Sequence, residues 1–244
     1  VVEMMTMNRK IQFLTMMTVL IGLTSCTSCK VSRWHVETSQ ASETRELSGF
    51  ERIELQGSLD VKYQQADSFS VEVSAPEQYL DKVETIVEGN RLVLRMKGDG
   101  KFINFGVSDG DGVKVYVTSP DLIGVTLRGS GDFECVHLVD TDNLDITLNG
   151  SGDIKFADVI CDRVNVSLVG SGDVDMREVK TLWAGVSVVG SGDVKMRFEN
   201  SGKVEANITG SGDITLKGTV SNYQYNVRGS GDMHTEELKI TNDK

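Results

Sequence analysis

Gly129-Ser130-Gly131-Asp132, Gly150-Ser151-Gly152-Asp153, Gly170-Ser171-Gly172-Asp173, Gly190-Ser191-Gly192-Asp193, Gly210-Ser211-Gly212-Asp213 and Gly229-Ser230-Gly231-Asp232 are one tetrapeptide written six times, at steps of 21, 20, 20, 20 and 19 residues. A fixed period of this length marks an architecture in which one structural unit stacks on the next. With the first glycine as position 0, apolar residues recur on alternate positions. Position −4 reads Val125, Ile146, Val166, Val186, Ala206, Tyr225, and position −2 reads Leu127, Leu148, Leu168, Val188, Ile208, Val227. Position +4 reads Phe133, Ile154, Val174, Val194, Ile214, Met233. Position +6 reads Cys135, Phe156, Met176, Met196, Leu216, and then breaks at Thr235. Period-two alternation is the mark of a β-strand with one buried face.

The alternation passes through the glycines without losing phase, so both are expected to point inward and Ser and Asp outward. That describes a strand bent at a tight corner, where glycine relieves crowding. A hairpin turn would not give every copy the same flanks. The outward columns agree. Position −3 reads Thr126, Thr147, Ser167, Ser187, Asn207, Asn226, and position +5 reads Glu134, Lys155, Asp175, Lys195, alternating in sign. Strands stacked roughly 4.8 Å apart would place these side chains over one another, where opposite charges attract. The expected fold is all-β: a right-handed parallel β-helix, a solenoid with about 20 residues per coil.

Ile53, Leu55, Gly57, Asp60, Val61 and Tyr63 share the repeat's offsets, with Leu59 in place of the second glycine. Gly57 precedes Gly129 by 72 residues, room for three or four further coils or a small cap. Val71, Val73, Leu92, Leu94, Val113, Val115 and Val117 supply alternating strands there. A short helical turn is expected within 76–84 and a tight turn at Asp109-Gly110-Asp111-Gly112. The expected organisation is a leader over 1–26, a polar tether over 27–46, N-terminal β coils or a cap over 47–120, and the repeat β-helix over 121–244.

The leader reading rests on Arg9 and Lys10 followed by the apolar run Ile11 to Leu23, too short for a stable bilayer span. Leu23-Thr24-Ser25-Cys26 resembles the lipobox of bacterial lipoprotein precursors. By that resemblance Cys26 is the lipid attachment site and the mature N-terminus, with Met7 the favoured start. Several acyl chains on one cysteine would anchor the chain stably to a membrane. The 36 acidic residues exceed the 25 basic ones, a formal net charge of −11. Such a surface does not suit nucleic acid. Cys26-x-x-Cys29 has no second pair to make a zinc site. Cys135 and Cys161 could bridge in an oxidising envelope, but each also suits a core position, and buried free thiols are expected.

No catalytic set emerges. His35, His137 and His234 lie on the tether and at two different offsets, and no serine sits in a nucleophile elbow. The aspartate column at +3 has two candidate roles: accepting backbone N–H groups at the corner, or binding Ca²⁺. The structural role is expected, because the G-G-x-G-x-D spacing of calcium-binding β-rolls is missing. No catalytic residue, cofactor or metal is therefore assigned.

Phe50 to Val61 (F-x-x-I-x-L-x-G-x-x-D-V), Asn90 to Leu94 (N-R-L-V-L) and the G-S-G-D ladder together resemble the auto-transporter adhesin head GIN domain family of Gram-negative envelope proteins. The resemblance implies a β-helical fold, a cell-envelope location and no catalytic residues to carry over. The expected protein is an outer-membrane-anchored lipoprotein, on the periplasmic or the cell-surface side, acting as a non-enzymatic binding, adhesion or scaffold module. Its expected partners are the membrane, through the lipid anchor, and a glycan or a matrix or envelope protein, with end-to-end self-association of solenoids. The alternative is a carbohydrate-active β-helix enzyme with its site in the N-terminal part; a cleft with convergent polar groups near 76–112 would distinguish it.

Overall fold

The computed structural model describes residues 40–98 and 112–241. Cys26, Cys29, His35 and residues 109–111 of the expected tight turn lie outside them. In chain order the elements are β1 (Gln40–Arg45), β2 (Arg52–Gly57), β3 (Asp60–Gln65), β4 (Ser70–Pro76), α1 (Glu77–Leu80), β5 (Val83–Glu88), β6 (Arg91–Met96) and β7 (Lys114–Ser119). Then follow β8 (Gly124–Gly129), β9 (Phe133–Gly150), β10 (Ile154–Gly170), β11 (Val174–Gly190), β12 (Val194–Gly210), β13 (Ile214–Gly229), β14 (Met233–His234) and β15 (Leu238–Ile240). Strands β8 to β13 pair in parallel, each with the next, and stack Gly129, Gly150, Gly170, Gly190, Gly210 and Gly229 in one column. The result is a β-solenoid of about six turns with about 20 residues per coil.

Each coil runs as one long strand bent twice. In β10 the buried positions are Ile154, Phe156, then Val159, Cys161, then Val164, Val166, Leu168. The phase slips by one residue after Phe156 and again after Cys161, so two corners divide the strand into three short faces. The G-S-G-D corner closes the coil. The unequal repeat steps are absorbed at the first of these corners. The 21-residue step coincides with a register shift in the β9–β10 pairing near Phe156, and the 19-residue step with one in β12–β13 between Phe198 and Ser201.

Why glycine occupies the corner differs from the expectation. The second glycine of each copy is buried, but the first is half-buried in five copies and exposed at Gly229. What excludes a side chain is the coil beneath, not the interior. A Cβ on Gly172 would lie 2.0 Å from the carbonyl oxygen of Gly152, and one on Gly170 would lie 2.1 Å from that of Gly150. Gly170 also has φ 135°, outside the range of L side chains. The close approach is functional for the backbone: Ser171 and Gly172 N–H both donate to the Gly150 carbonyl, at 2.9 and 3.2 Å.

The 72-residue gap does not hold further coils. Gly57 pairs directly with Gly129 through β2–β8, and β3 pairs with β9, so the segment between is an excursion. It returns to place β6 beside β2 and β7 beside β3, one rung further out. There the parallel stack ends, because β5 joins β6, β4 joins β7 and β1 joins β4, all antiparallel. The tether expected over 27–46 is shortened accordingly: Gln40–Arg45 form β1, an edge strand of this cap. Leu59 now has a reason. Among the described residues nothing lies within 4 Å of a Cβ built on neighbouring Gly57. That corner rests on no other corner, so a side chain is tolerated and Leu59 is buried.

At the C-terminal end the −4 column fails: Tyr225 is 56% exposed where its five predecessors are buried. The last residues cover the end only in part. β14 pairs with Ile214 and Thr215, and β15 with Gly218 to Val220. Cys135 and Cys161 are free and buried, and burial pushes the Cys135 thiol up to about 11.

Candidate functional site

The outward face of the G-S-G-D corner carries the aspartate column. Its geometry is the same from coil to coil. The Asp132 carboxylate accepts the Asp153 N–H at 2.9 Å, Asp153 accepts that of Asp173 at 3.3 Å, Asp173 that of Asp193 at 3.0 Å and Asp193 that of Asp213 at 2.9 Å. Asp60 starts the series by accepting the Asp132 N–H at 3.2 Å, and Asp213 ends it on Asp232 at 2.8 Å. One oxygen per aspartate is thus committed to the backbone of the next coil, as the structural reading requires. Burial pushes the Asp60 carboxyl up, and the hydrogen bond from the Asp132 backbone works against that shift.

A second arrangement forms where β7, β3 and β9 run side by side. Tyr116, Lys62 and Glu134 are cross-strand neighbours on the outer face, and Lys62 bonds Glu134. That hydrogen bond from Lys62 holds the Glu134 carboxyl below its usual range. Next to them, Gln64, Thr118, Val136 and His137 line a shallow recess of about 180 Å³. Tyr116 is 45% and Val136 57% exposed. Val136 and His137 reach this place because the extra residue of the 21-residue repeat bulges the chain outward here. An exposed aromatic ring beside an ion pair, an amide and an imidazole can contact both the apolar and the hydroxyl-bearing faces of a ligand.

Further along the +5 column the stacking of Glu134, Lys155, Asp175 and Lys195 is observed in register. Lys155, however, bonds Asp153 of its own coil at 3.0 Å. The −3 column also stacks in register, while a direct inter-coil side-chain bond lies on the −5 column, Asn165 to Asp145 at 3.0 Å. On β2, in the rung whose β3 carries Lys62, Glu54 is clamped by Arg91 at 2.7 Å, Arg128 at 3.2 Å and Gln56 at 2.9 Å. Burial alone would raise its pKa; these hydrogen bonds and charges outweigh it and lower it. The clamp joins β2, β6 and β8, whose β2–β6 and β2–β8 pairings link segments far apart in sequence.

The two histidines among the described residues are not brought together. His137 is exposed at the recess, and His234 sits 3.6 Å from Asp213 and 3.9 Å from Glu236. The corner serines lie outward, and their N–H groups are bound to the preceding coil. Near 76–98, Arg95 is paired with Glu84 at 2.5 Å, and Lys97 donates to the Asp81 backbone carbonyl at 3.2 Å. Among the described residues no three His, Cys, Asp or Glu side chains are grouped to hold a metal. Sequence reasoning missed the recess. Its signal was the one-residue excess of the first repeat step, which puts Val136 and His137 outside the regular pattern.

The family profile described as "Putative auto-transporter adhesin, head GIN domain" matches residues 49–178 and 175–244. The chain belongs to this family. Comparison with curated proteins gives no match. Among crystal structures, a putative lipid binding protein from Parabacteroides distasonis is 21% identical with a TM-score of 0.63, covering 84% of this chain and 98% of its own. A putative adhesin from Bacteroides fragilis is 20% identical with a TM-score of 0.61, covering 83% and 97%. Another, from Parabacteroides merdae, is 18% identical with a TM-score of 0.54, covering 84% and 98%. At these identities the likeness is one of fold, and the GIN-domain solenoid is the shared body.

Proposed function

We propose that this GIN-domain chain is a lipid-anchored protein of the cell envelope that works by binding rather than catalysis, and that its ligand is a glycan. The observation that carries the reading is the recess at Tyr116, Lys62, Glu134, Gln64, Val136 and His137. An exposed tyrosine stacks on the apolar face of a sugar ring, and the surrounding groups match its hydroxyls. The solenoid supports this by holding the donors on rigid, paired strands. Relatives described as adhesins agree with an envelope role. Anchoring rests on Leu23 to Cys26, where Cys26 takes the lipid.

Metabolic labelling with an alkynyl fatty acid should tag the wild-type chain and leave Cys26→Ser untagged; equal labelling removes the anchor from the reading. Protease shaving of intact cells reads the face on which the solenoid is displayed. On a glycan array the purified chain should bind a defined set of sugars, and Tyr116→Ala should lose about 1–2 kcal/mol of that affinity, roughly tenfold in Kd. No sugar bound by the wild type, or binding indifferent to Tyr116→Ala, overturns the recess as the site.

A further inference from the structure

The last coil leaves one stretch of backbone without a neighbour. Strand β13 is paired along its length with β12. On its other side β14 and β15 cover only Ile214, Thr215 and Gly218 to Val220, and Thr241 N–H reaches the Val220 carbonyl. From Ser221 to Gly229 that side has no partner among the described residues. The same stretch exposes core positions. Tyr223, Tyr225 and Val227 pair in register with Val204, Ala206 and Ile208, all buried, yet Tyr225 is 56% exposed and Tyr223 and Val227 are half-covered. The two tyrosine rings are stacked at 5.8 Å and 3°.

The chemistry of this edge separates it from the others. Folded proteins protect sheet edges with charges. The outer strand β1 carries Glu43 and Arg45, β5 carries Glu84 and Glu88, and β15 carries Lys239. Ser221-Asn222-Tyr223-Gln224-Tyr225-Asn226-Val227 carries no charge, in a chain whose net charge is −11. Its order is also symmetric about Tyr225: amides at 224 and 226, apolar side chains at 223 and 227. Laid antiparallel against a second copy, Tyr225 faces Tyr225, Tyr223 faces Val227, Gln224 faces Asn226, and Arg228 faces Asn222. Every apolar group meets an apolar one and no like charges oppose. A two-fold interface requires this kind of self-complementarity.

We propose that the β13 edge from Ser221 to Val227 is a homodimer interface, in which two solenoids join tail to tail by antiparallel strand pairing across Tyr225. The pairing satisfies the open backbone groups and covers the exposed core of the last coil. In the strand order of the sheet, β1 lies at the end opposite β13 and β14. The two β1 strands, through which each chain leads back toward Cys26, then stand at opposite ends of the dimer.

The test is sedimentation of the full chain, solubilised in nonionic detergent, over a concentration series, with Tyr225→Lys beside it. The wild type is expected to shift from monomer to dimer, and Tyr225→Lys, which opposes like charges at the two-fold, to weaken dimerisation about tenfold or more. Because Tyr225→Lys replaces an exposed side chain, its melting curve should match that of the monomeric wild type. Tyr225→Cys supplies the register test: its cysteines oppose each other and should oxidise to a covalent dimer, whereas Gln224→Cys, facing residue 226, should not. A wild type that stays monomeric at all concentrations overturns the interface. So does a dimer that survives Tyr225→Lys unchanged, or equal crosslinking by both cysteine variants. None of these readouts involves a sugar, so their failure is distinct from failure of the recess.

Discussion

At the scale of the residue, the corner glycines show a constraint that acts between coils. Stacking identical backbones at strand spacing sends each corner Cα–H toward a carbonyl one coil below. At Gly172 a Cβ would meet the Gly152 oxygen at 2.0 Å. Neither partner is a flexible side-chain end, so relief requires separating the coils. Gly172→Val is therefore expected to destabilise by about 2–3 kcal/mol, through overpacking and backbone displacement. Ser171→Ala, on the outward face, should stay within about 0.5 kcal/mol. Urea melts of the two variants check this. Equal stability would show that the coils can part locally, and that the glycine has another cause. Leu59 supplies the natural control, being a side chain at the one corner with no corner beneath.

At the scale of the element, the aspartate column joins seven corners, from Asp60 to Asp232, into one continuous ladder of six hydrogen bonds. Neighbouring carboxylates repel, on the order of 1 kcal/mol at such spacing in water, yet each also holds an N–H of the next coil. Asn keeps the acceptor oxygen and removes the charge; Ala removes both. Asp173→Asn should thus cost under about 0.5 kcal/mol, while Asp173→Ala should cost about 1–2 kcal/mol by orphaning the Asp193 N–H. Thermal melts in low salt read the order; an Asn variant as unstable as Ala would make the charge itself essential. The strand flanks and the inward columns at −4, −2, +4 and +6 were legible in the sequence because each is marked by alternation in phase with the glycines. The second and third corners were not. No turn residue recurs there: Ala157-Asp158 and Arg177-Glu178 occupy equivalent places, while in β12 the buried Phe198 already pairs with Val179. Only the slip in alternation betrays them, from Phe156 to Val159 and from Cys161 to Val164. The N-terminal rungs were hidden for a different reason. Gly57 sits beside Gly129 only because 72 residues leave the stack and return, and local pattern holds no record of that closure. The recess inherits both problems, since Tyr116 comes from the returning excursion and Val136 from a corner.

At the scale of the whole solenoid, stability is close to a sum of coil and nearest-neighbour terms, so the two ends decide how the body opens. The N-terminal end is closed by antiparallel β1, β4 and β5 and by the Glu54 clamp across β2, β6 and β8. The C-terminal end is closed by two short strands, with three core columns half-open. The coils of β10, β11 and β12 have a full neighbour on both sides, whereas β13 has one and a fraction. Local opening follows where buried contacts are fewest. Amide hydrogen exchange of the monomer should therefore show a gradient. Protection is expected to be highest through residues 154–210 and lower over 222–241, with the Asp232 N–H, bound to the Asp213 carboxylate, losing protection before the Asp193 N–H, bound to Asp173. The N-terminal rungs 52–57 and 91–96 should exchange like the centre and not like the tail, despite lying at an end. Uniform protection out to residue 241 would mean that the solenoid opens as one cooperative unit, and that β14 and β15 close the last coil as firmly as a complete rung.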